Sequence, residues 1–242
     1  MKIYIRPEPY CVLSFDLDDT LYDNRPVIRA AREALSNHLR SRFTAAHEWQ
    51  DEDWLACKRL VLRSQPELVH DTTACREAVL TRALISWGYG GEQLKKEVEQ
   101  AMACFLHHRS DFRVSDEVLA LLAKLDEKYL LAGITNGNVD ADRIGLTPLL
   151  RKVVHPGKGL RMKPYSDMFK LLTQELAVSP AEILHVGDCW QSDVQGARRA
   201  GCQAAWLNPA AGALPLTSGT GCLPHIELSE LRELRQLSEL MT

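Results

Sequence analysis

The chain has 242 residues, 45% of them apolar and 25% charged, with a formal net charge of −3 and a pI of about 6.2. That length can bury one or two cores, and the charge balance excludes the basic excess of a protein that binds nucleic acid or an anionic membrane. Seven cysteines, odd in number and without a C-x-x-C pair, argue against a disulfide framework or a structural zinc site.

The opening residues, MKIYIRPEPY, lack the apolar stretch of a secretory signal, and no apolar run approaches the length of a membrane span. A cytoplasmic protein is therefore expected. Residues 12–15, VLSF, read as a short buried strand that ends at the first of several acids. From about residue 26 to 106 the spacing is helical, with segments 27–39, 54–63, 73–87 and 92–106. The pattern then alternates. Residues 116–125 form an amphipathic helix with Val118, Leu121, Leu122 and Leu125 on one face, capped by Ser115 or Asp116. Strand 129–134, helix 166–176, strand 183–186, helix 193–200 and strand 203–207 follow. Strand–helix alternation predicts an α/β fold with a doubly wound parallel sheet. The expected organisation is an α/β core from residues 1–24 and 107–242, with residues 25–106 inserted as a helical domain.

In such sheets, sites gather at the carboxyl ends of the strands. The first predicted strand runs into Asp16-Leu17-Asp18-Asp19-Thr20, the second into Thr135 and Asn136, and a later one into Asp188 with Asp193 five residues on. Lys163, followed by Pro164, lies between the last two. Side chains two apart on an extended segment share a side, so Asp16 and Asp18 could face one ligand and Asp188 could approach it. A hard divalent cation such as magnesium suits that oxygen-rich set. Asp16, Asp18, Asp188 and Asp193 carry −4 when ionised; magnesium and Lys163 return +3, and a proton on Asp18 closes the balance. A neutral pocket can accept an anionic phosphate, helped by the Thr135 hydroxyl and backbone N–H groups.

The ordered set D-x-D-x-T, Ser/Thr, Lys, G-D-x-x-x-x-D resembles the haloacid dehalogenase superfamily, and the helical block resembles its cap that follows the first motif. The resemblance implies a Rossmann-like core and an aspartyl-phosphate mechanism. By it Asp16 is the nucleophile and Asp18 the general acid and base, whose backbone carbonyl also binds magnesium. Thr135 holds a phosphoryl oxygen, Lys163 balances Asp16, Asp188 binds the metal, and Asp193 supports it. Halide leaves without a proton whereas an alkoxide needs one, so Asp18 favours phosphoryl transfer over dehalogenation. Cys189 stands where many relatives carry Asp or Ser.

The segments FDLDDTLYDNRPVI, ITNGN, KPYSDMF, EILHVGD and PELVHDTTACR further resemble the bacterial phosphatases acting on FMN and on 5-amino-6-(5-phosphoribitylamino)uracil. That implies a small-molecule phosphate ester as partner. It also places His70 and Arg76, beside Asp71, where they could contact the leaving group, with Asn136 on the substrate side. Tyr22, Trp54 and Trp190 are candidate aromatic platforms, although Trp54, like Trp87, reads first as a packing residue of the helical block. The pair His107-His108 reads as a solvated face. A phosphomutase or phosphotransferase on the same fold, and a phospho-acceptor signalling module, remain open alternatives.

Overall fold

A computed structural model of the chain describes residues 1–209 and 222–240; residues 210–221, 241 and 242 of the expected core lie outside the described residues. In chain order the elements are β1 (Lys2–Ile3), β2 (Val12–Phe15), α1 (Asn24–Arg42), α2 (Asp51–Ser64), α3 (Thr72–Ser86), α4 (Gly91–Arg109) and α5 (Asp116–Asp126). There follow β3 (Leu130–Ile134), β4 (Lys152–Val154), α6 (Asp167–Leu176), β5 (Ile183–Gly187), α7 (Gly196–Arg199), β6 (Gln203–Leu207), β7 (Ile226–Leu228) and α8 (Leu234–Leu240). A wide helical turn, Trp190–Gln195, leads into α7.

The strands form one sheet in the order β1-β7-β6-β5-β2-β3-β4. All neighbours are parallel except β1, which pairs antiparallel with β7. β2 lies between β3 and β5, with Val12 opposite both Leu130 and Ile183. Its four residues are all buried, which is why VLSF reads as a continuous run: helices cover both faces of the sheet. Alternation along the strand sends Leu13 and Phe15 into one core with Leu121, Leu122, Leu125 and Leu234. Val12 joins Met168, Phe169, Leu172 and Ala197 in the other.

The chain moves from β2 to β3 and β4 on one side, then returns to β5 on the other side of β2. The order reverses between β2 and β5, so the crevice beyond their carboxyl ends is the natural ligand position. Helices α1, α3 and α4 pack about a core of their own, from Ala31, Leu35, Leu80, Leu84, Ala101 and Phe105. Trp49, Trp54 and Trp87 pack edge to face there, which removes Trp54 as a platform for a ligand ring. Trp190 is likewise buried, against Trp206.

Candidate active site

The four aspartates of DLDDTLYDN divide their work. Asp19 has a positive φ of 59° and accepts from the Asn24 N–H at 2.9 Å. Asp23 caps α1 by accepting from Arg25 N–H at 3.0 Å. Those two shape the turn and the helix start. Asp16 is the first residue past β2, and its N–H extends the pairing to the Val186 carbonyl at 2.8 Å. Asp18 turns away from it: its Oδ1 accepts from Tyr22 Oη at 2.7 Å and from Arg109 Nη2. Its Oδ2 faces Gly137, where a Cβ would stand 2.5 Å from that oxygen, 3.1 Å from Arg109 Nη2 and 3.3 Å from Thr135 Oγ1. Only glycine lets the loop after β3 come this close to Asp18.

Lys163 is 2% exposed. Its Nζ lies 2.8 Å from Asp16 Oδ1 and 2.7 Å from Asp193 Oδ1, and donates to the Ile134 carbonyl. The approach to Asp16 is an ion pair off the hydrogen-bonding directions, so Asp16 Oδ1 remains a buried oxygen without a hydrogen bond. Asn136 fixes the main chain of Lys163, donating Nδ2 to its carbonyl at 3.0 Å and accepting its N–H at 2.8 Å. Thr135 is buried, and its Oγ1 accepts from Gly137 N–H at 2.9 Å.

Asp188 follows β5, and its Oδ1 accepts from Thr20 Oγ1 at 3.1 Å. Asp193 packs directly over Gly187, where any Cβ would collide with its carboxylate. Its Oδ2 accepts from Cys189 N–H at 2.9 Å, and its Oδ1 lies 3.2 Å from His185 Nε2. His185 Nδ1 in turn lies 2.9 Å from Ser14 Oγ. A buried chain Ser14–His185–Asp193–Lys163–Asp16 thus runs beneath the crevice.

Burial raises the Asp16 carboxyl, with Asp193 adding to the effect against Lys163. Burial also acts on Asp193, but Lys163 and His185 outweigh it and hold that carboxyl at about 2. Asp188 is raised by burial and by Asp193. Burial lowers Lys163, yet Asp16 and Asp193 overcome it and keep the ammonium above its ordinary value. Burial lowers His185 below its ordinary value, against the pull of Asp193.

Carboxylate oxygens of Asp16, Asp188 and Asp193 all lie within 4.8 Å of one another. Three acids beside one lysine leave an uncompensated charge of −2 when ionised, and a buried charge of that size needs a counter-ion. A donor set made of carboxylate oxygens fits a hard divalent cation. The side chain of Asp18 is not part of this cluster.

A model of haloacid dehalogenase-like hydrolases matches residues 12–201. The chain belongs to that family. Over 238 residues it is 40% identical to the 5-amino-6-(5-phospho-D-ribitylamino)uracil phosphatase YigB of Escherichia coli, covering 98% of this chain and 100% of that one. It is 27% identical to mouse N-acylneuraminate-9-phosphatase, over 92% of this chain and 91% of the relative. Among solved structures, a 2-haloacid dehalogenase from Pseudomonas syringae superposes with a TM-score of 0.87 at 29% identity, covering 96% and 100% of the two chains. As a member of this family with such relatives, the chain is a phosphoric monoester hydrolase.

The family motifs converge: the residues after β2, β3 and β5 and Lys163 meet in the crevice. His70 and Arg76 lie on the helical block. The His70 ring packs edge-on against Tyr165, Asp71 stands against Gly157, and Asn138 Nδ2 bonds Thr73 Oγ1 at 3.1 Å, so this segment forms the seam with the sheet. Arg109 carries no mark in the sequence, since a basic residue in a helix's last turn is ordinarily a dipole complement. His185 reads as one strand residue among others, and only the fold brings it to Asp193.

Proposed function

We propose that this hydrolase cleaves 5-amino-6-(5-phospho-D-ribitylamino)uracil or FMN in the cytoplasm, through an aspartyl-phosphate on Asp16, with residues 25–106 acting as its cap. The reading rests on one observation above all: Asp16, Asp188 and Lys163 converge across the sheet's switch point with Thr135 beside Asp18. The likeness to the uracil phosphatase supports the substrate.

Asp16 attacks phosphorus, and the bond to the leaving oxygen breaks. Asp18 Oδ1 is held by Tyr22 and Arg109, so Oδ2 is the oxygen that gives the alkoxide its proton and later takes one from the water that attacks phosphorus, breaks its bond to Asp16 and releases phosphate. Thr135 and the Gly137 loop seat phosphoryl oxygens. Lys163 offsets charge on Asp16, and Asn136 positions Lys163 through its main chain. Asp16 and Asp188 would hold magnesium, with the Asp18 carbonyl, while Asp193 supports them through Lys163. Bound there, magnesium supplies positive charge to the transferring phosphoryl group. The neighbour described as a dehalogenase does not shift the reading, because a departing halide has no use for the proton Asp18 can give.

Phosphate release from a metabolite panel containing both flavin-pathway esters tests this. The expected result is preferred turnover of the ribitylaminouracil phosphate or FMN, lost on chelation and restored by magnesium. Turnover indifferent to the ester would remove the substrate, and no phosphate release from any would remove the activity.

A further inference from the structure

Beside Asp18 the helical block brings two guanidinium groups, of which Asp18 pairs with one. Arg109, at the end of α4, is 1% exposed. Its Nη2 holds Asp18, while its Nη1 is buried without a hydrogen-bond partner. Arg76, in α3, stacks its guanidinium 3.6 Å over the Phe105 ring, and its Nε is buried without a partner as well. Among the described residues no carboxylate pairs with Arg76. Burial and the like charges of Arg32 and Arg109 pull it down to about 10, so it remains a cation among cations.

Orphaned guanidinium donors in a buried place are costly unless something completes them. Stacking on Phe105 occupies the face of Arg76 and leaves its in-plane N–H groups to meet oxygen. α3 also begins at the seam, where Asp71 and Thr73 touch the loops around Gly157 and Asn138. Arg109 therefore stands against Asp18 itself, and Arg76 lies one turn along the helix whose start meets the core at this seam.

We infer that Arg76 and Arg109 form an acceptor subsite for the leaving group, taking a ring-carbonyl or carboxylate oxygen of the phosphate ester. The inference rests on the phosphatase reading and adds to it a chemical requirement: good substrates carry planar oxygen acceptors beyond the scissile bond. Such oxygens could belong to a pyrimidine or flavin ring or to a sugar or amino acid.

The test compares the kcat/KM ratio of FMN to phenyl phosphate, whose ring carries no oxygen beyond the scissile bond, in wild type, Arg76→Met and Arg76→Lys. A charge-assisted pair is worth about tenfold or more, so Arg76→Met lowers the ratio by about that factor. Arg76→Lys falls between, because it keeps the charge and loses the fork. Parallel loss on both esters, or loss on neither, overturns the subsite. If wild type cleaves phenyl phosphate and not FMN, the assigned substrate fails and the subsite is read on a matched pair. Wild type then prefers 3-phosphoglycerate to glycerol 3-phosphate by about tenfold, and Arg76→Met erases the preference. Absence of that preference in wild type overturns the subsite.

Discussion

Asp16 is 8% exposed, and burial alone would favour its protonated form. Lys163 opposes that from 2.8 Å, and Lys163 is itself held by Asp193 and by Asn136. The charges of Asp16 and Lys163 are therefore set by neighbours brought together from separate loops of the core. Asp18 depends on contact distance in the same way. Gly137→Ala brings a Cβ to 2.5 Å from Asp18 Oδ2, the far end of a side chain that can swing aside. The expected outcome is a folded protein with kcat reduced by about 10²-fold, since small misplacements of a reacting group cost that much. Steady-state rates with an alkyl phosphate measure it, and an unchanged kcat would contradict the role given to Asp18. Asp16 and Asp188 could be read from the chain because they stand at predicted strand ends, and Lys163 because it falls between two such ends, in order, with Pro164 after it. Arg109 and His185 could not, because their importance lies in residues 91 and 8 positions away that only the fold brings near.

The helical segments of the insert were legible from their period, and the fold extends them: α1 starts at Asn24, where Asp23 caps it, and α4 runs to Arg109. That extension puts Arg109 at the site. Strands β1, β4 and β7, of two or three residues each, are too short to show a period, and exist because a neighbouring strand edge pairs with them. The wide turn Trp190–Gln195 begins the helix earlier than 193 and sets Asp193 over Gly187. Within the insert, Trp87 packs 5.1 Å from Trp49, 5.7 Å from Phe43 and 5.9 Å from Trp54, ring centre to ring centre. Trp87→Ala should lower stability by about 3 kcal/mol, as large aromatic truncations do. Urea unfolding measures it, and a loss under about 0.5 kcal/mol, the scale of an ordinary surface substitution, would contradict the packing role.

At the scale of the molecule, the insert and the sheet meet at a seam built from His70, Asp71 and Thr73 on one side and Tyr165, Gly157 and Asn138 on the other. None of the helices among the described residues is long and apolar enough to cross a membrane. The sheet also carries two buried histidines that bear on the stability of the whole. His225 accepts from the Ala204 N–H at 3.1 Å, and burial, with Arg198 beside it, lowers it to about 4. His185 is lowered by burial too. The unfolded chain binds a proton at His225 near pH 6.5 and the folded chain does not until about 4, so the contribution of His225 to stability is lost as pH drops from about 6.5 toward 4, while the raised Asp16 carboxyl acts in the opposite sense. Between pH 7 and pH 5 the wild type should lose about 1 kcal/mol or more of unfolding free energy relative to His225→Gln, measured by urea unfolding of both, and an equal pH dependence in the two would contradict it. The central claim is the covalent phosphate on Asp16. Rapid acid quenching during turnover of a radiolabelled phosphate ester, followed by peptide mapping, tests it most directly. The account predicts acid-stable, hydroxylamine-labile label on the peptide containing Asp16, absent in Asp16→Asn together with turnover; turnover that persists in Asp16→Asn, or label on a different residue, would contradict it.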